Sequence, residues 1–235
     1  PPPAARARPV SRPARHAAAA PTRRRPARQM YESAPALSAA CLNTLHLHVQ
    51  WIDICLVAND RFMGLLMQFV HAAPLHESAC LCLTEVAPKR TEAGAKVEHL
   101  ARLQMVARLE AVVARVRQPT VPFATLVAAL CLELLDSWDR LSGRVPPSAE
   151  NSALARQAAG SLAQLLPLLT RCLAADEMEV SQCTMSFLHS YVARLRKLVP
   201  SASELKEHEP HLQGLLIGIG GKAVHSEAPS LHEYT

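Results

Sequence analysis

A chain of 235 residues with 49% hydrophobic content holds enough apolar material for one large core or two small ones, and its 4% aromatic content and 8 glycines weigh towards helix and against sheet. The net charge of +5 is carried by Arg6, Arg8, Arg12, Arg15, Arg23, Arg24, Arg25 and Arg28; without these eight the remainder has 17 basic against 20 acidic residues, so basicity belongs to the start of the chain and not to its body. Seven cysteines, an odd number set in apolar segments, fit reduced and buried thiols of the nucleus or cytosol and not a disulfide framework.

Residues 1–34 read as a separate tail. Seven prolines and eight arginines fall in the first 28 residues, with no acid and almost nothing to bury. Such a segment cannot offset the entropy of ordering and is predicted to be disordered. An arginine-rich, acid-free start is compatible with an organelle transit peptide, a basic nucleic-acid arm, an inert extension or a misdrawn gene boundary. Frequent proline works against the amphipathic helix that a transit peptide needs. The first residue is Pro1 and not methionine, which fits a fragment.

From Leu37 the apolar residues recur at three and four, the helical spacing. Cys41, Leu45, Val49, Ile52 and Leu56 form one stripe, and Leu47, Trp51 and Ile54 begin a second. The stretch Val49–Val57 is therefore expected to be the buried middle of a helix, with Trp51 packed inside it. Asn59-Asp60 should end that helix and cap the next, whose stripe is Phe62, Leu65, Leu66 and Phe69. Pro74 opens a helix with Ala79, Cys80, Leu83 and Val86 inward; Lys89-Arg90-Thr91 is a turn.

Val97, Leu100, Leu103 and Ala107 carry a helix towards Val116, interrupted at Gln118-Pro119. Phe123, Val127, Leu130, Leu134, Trp138 and Leu141 follow, and Gly143–Pro147 is a loop. Leu154, Ala158, Leu162, Leu165 and Leu169 carry another helix, which Pro167 should kink. Asp176-x-x-Glu179 and Ser201-x-x-Glu204 resemble capping boxes; the first opens Val180, Thr184, Phe187, Tyr191, Leu195 and Leu198. No strand-like alternation intervenes. The densest apolar run, Val121–Leu132, is about half the length of a membrane span, so no membrane insertion is expected. Together these features predict an all-α chain: a HEAT-like α-solenoid of antiparallel helix pairs over 35–216, and an irregular end over 217–235.

The run V-Q-W-I-D-I-C-L-V-A-N-D-R-F, Val49 to Phe62, closely resembles a segment of the exportin-T family, the tRNA-export karyopherins of the importin-beta-like class. So does E-S-A-C-L-C-L-T-E-V, Glu77 to Val86. A Ser-Trp-x-x-Leu ending at Ser137, Trp138 and Leu141 and an acidic helix start at Asp176 to Glu179 follow in the same order. The resemblance runs from about Leu42 to Val199, an interior slice of a longer solenoid. It implies a nuclear export receptor that binds tRNA cooperatively with the GTP-bound Ran GTPase, meets nuclear pore components, and shuttles between nucleus and cytoplasm. A HEAT-repeat karyopherin or scaffold carrying protein cargo is the alternative.

No catalytic constellation accompanies this pattern, and no enzyme, cofactor or metal is expected. Trp51, Asp53, Asn59, Asp60 and Arg61 lack a nucleophile–base pair. Cys80 and Cys82, like His46 and His48, are two apart and so point about 200° from each other on a helix, too far to share one ion. His208 and His211 lack the spacing of a zinc-protease helix. Gly218-Ile219-Gly220-Gly221-Lys222 lacks the earlier glycine and the following Ser or Thr of a phosphate loop. What remains are cations: Lys89 and Arg90 at an inter-helix turn, and Arg194, Arg196 and Lys197 near a helix end. These are the candidates for holding tRNA phosphates, by backbone and shape; otherwise they complement a helix dipole.

Overall fold

The computed structural model describes residues 31, 33–89, 92–113, 118–143, 148–199 and 202–226. Two compact units part at residue 34, Pro1–Ala34 and Pro35–Thr235. The disorder expected of residues 1–30 lies outside the described residues; Tyr31 and Ser33 are helical. In the second unit eleven helices follow: α1 Pro35–His48, α2 Ile54–Val57, α3 Asp60–Val70, α4 His76–Val86, α5 Ala93–Arg102, α6 Met105–Val113, α7 Val121–Ser142, α8 Ala149–Leu173, α9 Met178–Gln182, α10 Met185–Leu198 and α11 Ala202–Ser226. No strand occurs among the described residues.

Local chemistry sets several helix starts. Asn59 Oδ1 accepts from the Phe62 amide at 2.9 Å and opens α3. The Glu92 carboxylate accepts from the amides of Gly94 (2.7 Å) and Ala95 (3.1 Å) at the start of α5. Ser148 Oγ accepts from Asn151 at 3.0 Å at the start of α8. Thr120 caps α7, with Pro122 in the first turn, where its missing N–H costs nothing. Each cap satisfies a donor the helix cannot, worth about 0.5–2 kcal/mol.

The helices alternate between two layers. In one, α1 packs on α4, α4 on α7 and α7 on α10; in the other, α5 and α6 pack on α8, and α8 on α11. Between the layers the most extensive pairing is α7 with α8, and α5 also meets α7. This alternation is the HEAT-like solenoid that the periodicity predicts: a helix apolar on more than one face is covered by its partner and by the helices before and after. Helix α7 shows it best. Phe123, Leu126, Val127, Leu130, Cys131, Leu134 and Leu135 are all buried, on several sides of one rod. Its 22 residues are long and apolar enough to cross a membrane by length and composition, but over half of that window is already enclosed by neighbouring helices.

Several expectations are corrected. Val49–Val57 is not the middle of one helix: α1 ends at His48, Val49–Trp51 is a 3-10 turn, and Ile52 is extended at ψ 139°. Val49 and Val57 are buried, but Trp51 is 86% exposed. The 3-10 turn rotates the side-chain sequence relative to an α-helix, so the stripe that would have buried Trp51 does not continue. The helix expected towards Val116 breaks at Leu103-Gln104, where Gln104 takes φ 50° and its amide bonds to the Ala101 carbonyl, a left-handed C-terminal cap. The one expected from Val180 to Leu198 breaks at Cys183-Thr184.

Pro167, exposed, leaves α8 continuous from Ala149 to Leu173. Asp176 does not cap α9; Glu177 holds the cap position without a side-chain bond, and Asp176 instead accepts from Gln118 at 3.3 Å. The second capping box cannot be followed, because Ser201 lies outside the described residues. Cys41 is exposed, whereas Cys80, Cys82, Cys131 and Cys172 are buried as expected.

The largest correction is at the end of the body. Residues 217–226, expected to be irregular, complete α11. Gly214 and Gly218, four apart, face α8: a Cβ on Gly218 would lie 2.8 Å from Leu173 Cδ2, and one on Gly214 3.7 Å from Thr170. Small residues at that spacing let two helix backbones approach. Lys222, four further on, donates to the carbonyls of Ala175 and Asp176 beyond the end of α8.

Two stability tests follow from these positions. Trp51→Ala should leave the urea midpoint nearly unchanged, within about 0.5 kcal/mol, where a buried tryptophan would lose several. Gly220→Ala, in open space, should stabilise by about 0.5–1 kcal/mol through helix propensity. Gly218→Ala should give none of that gain, because fully buried Leu173 must move; equal gains at both glycines would contradict the close approach.

Candidate nucleic-acid interface

The cationic side chains expected to meet phosphate fall at two separate places. Lys89 follows α4, and its ammonium donates to the main-chain carbonyl of Ile52, bracing the irregular segment after α1. Arg90 lies outside the described residues. The other three sit on α10. Arg194 reaches Asp136 at 3.2 Å and Asp139 at 4.0 Å, and Lys197 reaches Asp139 at 2.7 Å. Asp136 also takes Arg140, four residues on, at 2.7 Å. Arg196 is exposed and, among the described residues, makes no ion pair.

Neither sequence reading of the α10 cations anticipated this arrangement. Arg194 and Lys197, three apart, share a face of α10, and Asp136 and Asp139, three apart, share the facing side of α7. The four form a ladder across the α7–α10 contact. These groups remain partly or largely exposed, so each pair adds little stability, about 0–1 kcal/mol. Their consequence is electrostatic. Two of the three α10 cations are already neutralised, which lowers the phosphate affinity of this face. The missed signal was the Asp-x-x-Asp spacing of 136 and 139 on a helix whose other faces are apolar.

Beside this ladder an aromatic cluster joins three helices. The Trp138 ring of α7 stacks on the His208 ring of α11, centroids 5.7 Å apart and 23° from parallel. The Tyr191 hydroxyl of α10 contacts His208 Nδ1 at 3.3 Å. Burial, with His211 adding a smaller like-charge effect, lowers the His208 pKa from its ordinary value and favours the neutral ring. A cavity of about 790 Å³ opens here, with Trp138, Arg156, Glu207, His208 and His211 among its walls.

A second cavity, about 540 Å³, lies between α3 and α5 over α4 and α7, lined by Met63, Leu83, Leu100, Met105 and Leu130 with Lys89, Lys96 and His99. Its cations are also committed: Lys96 pairs with Glu133, and Arg102 with Asp60 at 3.3 Å. Asp60 thus joins α3 to the end of α5.

The remaining motifs are structural. Burial pushes the thiols of Cys80 and Cys82 up to about 12 and about 11, so both stay protonated at neutral pH. Cys82 donates to the Leu42 carbonyl at 3.2 Å, tying α4 to α1. His76 donates from Nδ1 to the Val70 carbonyl at 2.7 Å and stacks on Phe123, fixing the α3–α4 turn against α7. Lys222, the lysine of the glycine-rich run, donates to the Ala175 and Asp176 carbonyls just past the end of α8.

If Asp136 and Asp139 mask the α10 cations, Asp136→Asn/Asp139→Asn should strengthen binding to any polyanion at low salt. It should add about one to the slope of log affinity against log salt for each freed cation, and cost no more than about 1–2 kcal/mol of stability for the pairs lost. An unchanged slope would show that the ladder does not control phosphate access.

The family described as Exportin 1-like protein matches residues 24–83. Exportin-T of Mus musculus is 24% identical over 193 residues, covering 80% of this chain and 19% of its own length. Exportin-T of Oryza sativa subsp. japonica is 31% identical over 170 residues, covering 69% and 16% respectively. Exportin-T of Arabidopsis thaliana is 29% identical over 175 residues, covering 72% and 17%. The chain therefore spans about one fifth of the length of the curated relatives it matches. The segments 49–62 and 77–86 lie at the α1–α4 end of the two-layer array, and the similarity to the relatives covers up to 80% of the chain. Animal and plant relatives bear the same name, and the chain belongs to the exportin-T family.

Proposed function

We propose that this chain is a segment of a nuclear export receptor, acting by binding and not by chemistry. Its cargo is tRNA, and GTP-bound Ran joins the complex so that each ligand raises affinity for the other. The observation that carries this reading is the similarity to exportin-T over 80% of the chain, supported by a stacked two-layer array whose repeats present side chains along a continuous surface. Lys89, Arg90 and Arg196 are the phosphate-facing candidates, with Arg194 and Lys197 partly offset by Asp136 and Asp139. Because Arg194 and Lys197 are paired with carboxylates, grip on a folded RNA comes from many weak contacts spread along the array. Passage through the pore, with nuclear pore components as transient partners, places the protein in both nucleus and cytoplasm.

A transplant tests this. Residues 35–226 replace the matching stretch of mouse exportin-T, without the arginine-rich start, whose eight arginines would bind any polyanion. The hybrid should retain tRNA in the presence of GTP-bound Ran and release it when the GTP is hydrolysed. A folded hybrid that has lost tRNA but still binds Ran would overturn the tRNA reading and favour a karyopherin carrying protein cargo.

A further inference from the structure

The first half of α11 is held to the array largely by one side chain. Residues 205–210 are exposed except His208, which is half-buried. Its ring stacks on Trp138 of α7, and its Nδ1 lies 3.3 Å from the Tyr191 hydroxyl of α10. The second half has its own anchors: Leu215 is buried, and Gly218 and Lys222 meet the end of α8. Pro210 stands between the two halves. It has no N–H for the Lys206 carbonyl, so the helix is weakest there. The cavity of about 790 Å³ lies under the first half, with Trp138 and Arg156 in one wall and Glu207, His208 and His211 in the other.

We propose that His208 is a proton-sensitive latch: neutral, it holds the first half of α11 down, and protonated, it lets that half swing about Pro210 and open the cavity. The reason lies in the direction of one hydrogen bond. Tyr191 is fully buried, and among the described residues its hydroxyl meets His208 alone. A buried O–H needs an acceptor, and Nδ1 accepts only while the ring carries its proton on Nε2. A second proton turns Nδ1 into a donor. The hydroxyl must then accept, and its own hydrogen is left without a partner in a buried place. Of the charged groups around the ring, Glu207 on α11 favours the imidazolium, while His211 on α11 and Arg156 on α8 oppose it. On α7, Asp136 and Asp139 already face Arg140, Arg194 and Lys197. On α10, burial pushes the Tyr191 phenol up to about 12, so it stays uncharged. An indole face attracts a cation, but burial prevails and lowers the His208 pKa. Docking is therefore complete above the ordinary imidazole pKa and is lost as pH falls through the lower value of the folded state.

Trp51→Phe in the full chain leaves Trp138 as the sole tryptophan. Between pH 8 and pH 5 its emission should shift to the red as the indole meets water, with a midpoint below about 6.5 and an unchanged far-ultraviolet helical signal. His208→Gln keeps an acceptor for Tyr191 at every pH and should abolish the shift. Pro210→Ala, which restores the missing helix bond, should reduce it. An emission maximum that does not move overturns the latch, and so does quenching without a shift, since that reports protonation without release. A shift that persists in His208→Gln assigns the titration to another group and overturns the role of His208. Loss of the helical signal in step with the red shift overturns local release in favour of general acid unfolding.

Discussion

Helix α7 is an apolar rod of 22 residues, and the arrangement of its neighbours follows from the need to enclose it. One partner covers a stripe about 100° wide, so a rod apolar on several sides needs several. Helix α4 takes one side, α8 another and α10 a third, with α5 and α9 closing the gaps. A sheet would cover one face only, and two helices would leave the rest wet. Alternation between two layers places neighbours at successive angles around each rod, which is how an α-solenoid builds a core without a single centre. Two buried side chains add to this: Cys82 and His76 donate to carbonyls where one helix meets another, and so join elements.

The charges occupy what the apolar contacts leave over. On α7 the polar positions are those between its apolar contacts, and Asp136 and Asp139 lie where α10 passes. Arg194 and Lys197 answer them, much as Lys96 of α5 answers Glu133 and Arg102 answers Asp60. Neighbouring helices are thus registered by pairs of opposite sign along their solvent edges. The cost falls on any polyanion ligand at these places, where the cations already face carboxylates.

Much of this was legible in the sequence where a signal was local. The three-four periodicity located the long helices, and Asn59 announced the cap that opens α3. What failed were features set by tertiary partners or by a change of helical type. Trp51 looked buried because the stripe was extended through a 3-10 turn, in which residues repeat every three and not every 3.6. Gln104 breaks α5 from α6 by adopting a left-handed backbone, which glutamine gives no reason to expect. Arg194 and Lys197 looked free because their carboxylate partners are 58 residues away in the chain. The glycine-rich end looked irregular because glycine weakens an isolated helix, and only contact with α8 reveals why it stands there.

That last contact shows how packing overrides propensity. A glycine in mid-helix costs about 1 kcal/mol relative to alanine, and α11 carries four, Gly214, Gly218, Gly220 and Gly221, with a proline at 210. Alone it would be a poor helix. Against α8, however, Gly218 admits the Leu173 side chain to a distance no Cβ would permit, and Lys222 reaches the carbonyls just past the end of α8. Dispersion contacts along a close approach and charge-assisted hydrogen bonds are gained together, at positions 214, 218 and 222, one turn apart. Gly220 and Gly221 face open space and add nothing to that contact. Beyond His208, which meets α7 and α10, the helix is therefore held by α8, and its outer residues Leu216 and Ile217, 67% and 75% exposed, take no part in holding it.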